Sequence, residues 1–108
     1  MRQLTFEEFD RALQARTEED FNCHDWTLAD WMTATVGEVG ELANMLKKVK
    51  RGDMSFENPD DCVRIGKEFG DIAAYLFIMA RKAGYDLADV SADKFNEVSV
   101  RRGSEIFL

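Results

Sequence analysis

The sequence predicts an all-α fold, a four-helix bundle, and three observations predict it. Its 108 residues include a single proline, Pro59, so little in the chain interrupts a long helix. Apolar residues recur at three- and four-residue spacing through four segments, each bounded by capping or glycine signals. No alternating strand pattern, hairpin dipeptide or internal repeat competes with that rhythm. The length fits one domain, residues 1–108, and 45% apolar residues supply a core, which argues against disorder.

The first helix is expected over about residues 5–20. Thr5 and Glu8 have capping-box spacing, and Phe6, Phe9, Leu13 and Phe21 fall at helical intervals. Residues 22–26 lose the rhythm, and Thr27 or Asp25 can cap a second helix. Its stripe is Leu28, Trp31, Met32, Thr35, Val39, Leu42, Leu46 and Val49, and it ends at Arg51, where a basic last turn meets Gly52. Asn58-Pro59-Asp60-Asp61 opens a third helix: an asparagine cap, proline at the first helical position, then acids at the positive helix end. Its stripe is Val63, Ile65, Phe69, Ile72, Leu76 and Met79, and Gly84 should stop it. A fourth helix runs from near Asp86 to about Arg102, with Gly103 beyond.

Within the third helix, Ile72 to Ala80 is apolar around the whole circumference, which requires cover on several sides. A second subunit is one source of that cover, so a homodimer or homotetramer is expected; the first and fourth helices are the other. The nine-residue run is far short of the roughly 20 needed to span a bilayer, so no membrane partner is expected. Fourteen Lys and Arg against 21 Asp and Glu give a net charge of −7, which disfavours gripping a nucleic-acid polymer through its phosphates. Two isolated cysteines, Cys23 and Cys62, suit neither a disulfide framework nor a zinc cluster, and fit a reducing, cytoplasmic setting.

Glu38 and Glu41 on the second helix, and Glu68 and Asp71 on the third, are each spaced i, i+3, so both acids of a pair can reach one target. They border the apolar stripes. Packing of the two helices would make four carboxylates converge at the edge of the interface. Gly37, Gly40, Gly66 and Gly70 flank them, although a glycine inside a helix costs about 1 kcal/mol relative to alanine. Close backbone approach, or room for a ligand, would explain their presence. Converging carboxylates resist ionisation unless cations share the site. A hard divalent ion such as Mg²⁺ suits oxygen ligands; alternatively, Lys47, Lys48, Arg64 and Lys67 pair with the acids as surface charges. Di-iron chemistry of the Glu-x-x-His kind is excluded, since His24 is the one histidine.

Gly37-Glu38-Val39-Gly40-Glu41-Leu42 and Lys67-Glu68-Phe69-Gly70-Asp71-Ile72 resemble the E-x-x-E and E-x-x-D motifs of the MazG-type all-α nucleoside triphosphate pyrophosphohydrolases, over residues 26–102. Many members carry a further glutamate where this chain has Gly37, a departure that resembles the dCTP pyrophosphatase branch. The resemblance implies hydrolysis of a (d)NTP between its α and β phosphates, with Glu38, Glu41, Glu68 and Asp71 as ligands of Mg²⁺, for which Mn²⁺ can substitute. One of these carboxylates can also accept the proton of the attacking water; Glu41 is the choice for that role, with Glu38 the other catalytic carboxylate. Tyr75, Lys94, Asn96 and Arg101 resemble the family's substrate-binding positions, a solvated basic helix face being the other reading of Arg101; Trp26 and His24 are expected toward the base, and Lys48 is added to the substrate-binding set. For Trp31 a core position is the stronger reading. The competing functions are a non-catalytic helical interaction module and a nucleotide-binding sensor.

Overall fold

The computed structural model describes residues 1–19 and 25–108, Glu19 by its backbone alone. Four helices make up its regular structure: α1 (Phe6–Glu19), α2 (Leu28–Arg51), α3 (Pro59–Lys82) and α4 (Leu87–Arg102). Among the described residues there is no strand. Each start is fixed by a side chain that accepts from an otherwise orphaned backbone N–H. Glu8 N donates to Thr5 Oγ1 at 3.1 Å and Thr5 N to Glu8 Oε2 at 2.8 Å. Of the two caps expected for α2, Thr27 is the one used, in a reciprocal box with Asp30. Asn58 Oδ1 accepts from the amides of Asp60 and Asp61, and Asp86 caps α4 through the Asp89 amide. Gly52 and Gly103 end α2 and α4 with φ of 89° and 68°, values that glycine adopts without a Cβ penalty.

The α2–α3 pair is an antiparallel hairpin. Leu42, Met54 and Ile65 close its loop end, with Met45, Val49 and Ile72 against them. At the other end Trp31 meets Phe77, Ile78 and Leu13 of α1, with Phe9, Ala74, Tyr75, Met79 and Leu87 around this cluster. Phe6 and Phe9 both present their rings edge-on to Phe77, at 5.1 Å between centroids. Asp10 and Arg81 tie α1 to α3 with an ion pair. α4 makes its helix contacts with α1 and α3 and none with α2.

Two sequence expectations change here. On α3 the buried residues are Ile65, Phe77 and Ile78, whereas Val63, Phe69 and Leu76 of the expected stripe are exposed. The reason is that α1 and the start of α4 cover the Phe77–Ile78 arc, leaving another arc bare. On α2 only Trp31, Thr35 and Leu42 are buried, while Leu28, Met32, Val39 and Leu46 face out. The chain is correspondingly spread: its radius of gyration is 16.7 Å, against about 13 Å for a compact domain of this length. No helix among the described residues is long and apolar enough to cross a membrane.

Candidate metal centre

The antiparallel register of α2 and α3 brings the middle of one helix beside the middle of the other. Glu38 and Glu68 lie on this seam and are half-buried, while Glu41 is exposed at its edge. One carboxylate oxygen from each lies within 4.8 Å of the other two. That spread is close to the diameter of an octahedral oxygen shell around Mg²⁺, about 4.2 Å. Asp71, one turn beyond Glu68, is exposed and stands outside the trio, yet near enough for its charge to act on Glu38.

The electrostatics are unbalanced. Glu38 Oε2 and Glu68 Oε2 are both buried, and as ionised groups neither has a hydrogen-bond partner. The Glu38 carboxyl is pushed up to about 7 by burial, then by a hydrogen bond shared with Glu68, then by the like charges of Glu41, Asp71 and Glu68. A proton on the Glu38 carboxyl relieves the repulsion, and a cation at the seam would do the same. The basic residues do not perform that task. Among the described residues no ion pair within 4 Å involves Glu38, Glu41, Glu68 or Asp71, and Arg64 turns instead to Asp61 at 3.9 Å. All-oxygen donors, net negative charge and two orphaned buried oxygens therefore fit a hard divalent ion.

The glycines beside the acids are not explained by packing within the chain. A Cβ built on Gly37, Gly40, Gly66 or Gly70 meets nothing within 4 Å, so the expected close approach of backbones does not occur there.

An aromatic row lies on the carboxylate side of the seam. Trp31 is two turns before Glu38 on the same face of α2, about 10 Å along the axis. Its ring centroid is 4.8 Å from that of Trp26 and 5.9 Å from that of Tyr75, which follows Asp71 by one turn on α3. Trp31 is a core residue, as its place on the stripe suggests, but its indole N–H is buried without an acceptor. Trp26 is part-exposed beside it. Lys48 lies two turns beyond Glu41 on the same face of α2 and is half-buried. His24 lies outside the described residues.

The α4 candidates are placed apart from this seam within one chain. Lys94 pairs with Glu97 at 3.1 Å, and Arg101 is exposed in the last turn. Asn96 binds the backbone of Leu108 at both ends of its amide: Leu108 N donates to Oδ1 at 2.8 Å, and Nδ2 donates to Leu108 O at 3.1 Å. Sequence reasoning did not anticipate this tail contact, for nothing in the spacing of Asn96 marks a partner twelve residues away. Comparison of the chain with protein-family models, curated proteins and solved structures finds no significant match.

Proposed function

We propose that this protein is a Mg²⁺-dependent nucleoside triphosphate pyrophosphohydrolase of the MazG type, a homo-oligomer that removes surplus or abnormal (d)NTPs as (d)NMP and pyrophosphate. The observation that carries the reading is the Glu38–Glu41–Glu68 trio, in which the buried oxygens of Glu38 and Glu68 have no basic partner, on the same side of the hairpin as an aromatic row. When bound, Mg²⁺ offsets phosphate charge and makes a water more acidic. Glu38 and Glu68, whose inward oxygens are shielded from solvent, are the residues suited to hold the cation. Asp71, at the open edge outside the trio, adds negative charge that favours the cation there.

Glu41 is exposed at the edge of the seam and more open to water than the half-buried Glu38 and Glu68. It accepts that water's proton while the water oxygen bonds to the α phosphorus. The bond from the α phosphorus to the bridging oxygen breaks, and pyrophosphate leaves with that oxygen. Trp26, with Trp31 behind it and Tyr75 beside it, offers a ring face for the nucleobase. Lys48, Lys94 and Arg101 supply positive charge for the phosphates, and Asn96 a polar contact once its amide is released from Leu108.

Incubation of the full chain with each common NTP and dNTP and Mg²⁺ tests the proposal. Monophosphate and pyrophosphate are the expected products of at least one nucleotide. Glu41→Gln and Asp71→Asn should each lower turnover, by roughly 100-fold or more for the base, with helical circular dichroism unchanged. No product from any nucleotide would overturn the enzyme reading. Full activity in either variant would overturn the role given to that residue.

A further inference from the structure

The row of α1 that meets α3 runs through Phe9 and Leu13, and its next helical position, one turn on, is Thr17. A threonine is too short to fill the place that a large apolar residue would take there. A cavity of about 100 Å³ lies beside it, between Leu13, Thr17 and Glu18 of α1 and Ile78, Arg81 and Lys82 of α3. Leu13 and Ile78, only 3% and 6% exposed, give it an apolar lining.

The polar groups around the cavity fall into two sets. Arg81 Nε donates to Asp10 Oδ1 at 3.2 Å, and the same guanidinium donates to Gln14, whose Nε2 donates to Glu18 Oε1 at 3.1 Å. Those four side chains satisfy one another. Lys82 and Thr17 are left over. Among the described residues no ion pair within 4 Å involves Lys82, whose Nζ stands 5.9 Å from the centre of the Trp31 ring. Thr17 Oγ1 is buried without a hydrogen-bond partner, which costs stability until a partner arrives. A cation without a counter-ion and a hydroxyl without an acceptor are both complementary to the oxygens of an anion.

Size and charge narrow the occupant. A cavity of about 150 Å³ takes benzene, so this smaller one suits a group of roughly four or five non-hydrogen atoms. The single unmatched ammonium favours one negative charge, and the carboxylates of Asp10 and Glu18 beside it repel a second. Leu13 and Ile78 favour a short hydrocarbon tail over a second polar group.

We propose that this cavity binds a short-chain monocarboxylate, its oxygens accepting from Lys82 Nζ and Thr17 Oγ1 and its tail lying on Leu13 and Ile78. The site is separate from the acidic seam, since Lys82 lies about 16 Å along the α3 axis from Asp71. It depends on no step of the proposed hydrolysis.

Titration of the full chain with sodium propionate, followed by amide and methyl NMR shifts at constant ionic strength, is the test. Propionate should give saturable shifts centred on Leu13, Thr17, Ile78 and Lys82, and propionamide, its neutral isostere, should bind at least tenfold more weakly. Lys82→Met keeps the apolar stem of an exposed side chain and should weaken propionate at least tenfold, the effect of losing one charge-assisted hydrogen bond. Thr17→Val should weaken it too, yet raise the thermal midpoint of the ligand-free chain by removing the unpartnered hydroxyl. Absence of saturable shifts at these residues, equal binding of propionate and propionamide, or unchanged affinity in Lys82→Met would overturn the proposal. The comparison of the two ligands needs no variant, so it decides the matter even if a substitution unfolds the chain. An unchanged affinity in Thr17→Val would overturn the role of its hydroxyl. Hydrolysis assays leave these results untouched, so failure of the enzyme reading and failure of this site are separately visible.

Discussion

Glu38 is the residue at which burial and charge conflict most. Its carboxyl titrates near 7 in the folded, metal-free chain and near 4.5 when unfolded, so between those values the native state binds more protons. Stability contributed by this group is fully present below about 4.5 and is lost as pH rises toward 7. Thermal melts in EDTA should therefore show a midpoint that falls from pH 5 to pH 7.5, and Glu38→Gln should flatten that slope. At pH 8 the same substitution removes a repelled charge, so the metal-free midpoint should rise, on the order of a few degrees. Mg²⁺ should stabilise the wild type above pH 7 and lose that effect as protons compete below it. Identical pH slopes for wild type and variant would contradict the account of the seam. The pairing of acids by spacing is legible in the sequence. The burial of Glu38 and Glu68 relative to Glu41 and Asp71 is not, because it depends on where the facing helix sits.

At the scale of the element, boundaries are set by local chemistry and facing by distant contacts. Thr5, Thr27, Asn58 and Asp86 satisfy the first amides of their helices, and Gly52 and Gly103 turn the chain out of theirs, so each start or end is written within a few residues. Thr27→Ala and Asn58→Ala should each cost about 1 kcal/mol in urea denaturation. Facing separates two neighbours on α3 that look alike in sequence. Ile65 is buried between Leu42 and Met54, and Ile65→Ala should cost about 2–5 kcal/mol. Val63 is exposed, and Val63→Ala should change stability by no more than about 0.5 kcal/mol. The periodicity puts both on one stripe, since a helix apolar around its circumference does not declare which arc α1, α2 and α4 will cover. Equal losses from the two substitutions would mean that α3 is rotated from the arrangement described.

For the whole molecule, the spread form, the bare hairpin face and the uncompensated acids have one source. A chain of 108 residues has placed its two longest helices side by side and covered one remaining arc of α3 with α1 and α4. The hairpin then carries exposed apolar residues along one edge and clustered carboxylates along the other. Composition alone signals only the second, through a net charge of −7 whose location becomes evident once Glu38, Glu41 and Glu68 are side by side. The run from Ile72 to Ala80 shows in the sequence that α3 needs cover on several sides, but not which arcs receive it from within the chain, where α1 and the start of α4 pack against Phe77 and Ile78. Everything proposed for the acidic edge depends on its binding a divalent ion. Titration of the metal-free chain with Mn²⁺, followed by electron paramagnetic resonance at pH 8, measures that directly. Saturable binding that is weakened at least tenfold in Glu38→Gln and in Glu68→Gln, and that declines below pH 7, is the predicted result; binding unchanged in both variants, or no saturable binding at all, would contradict it.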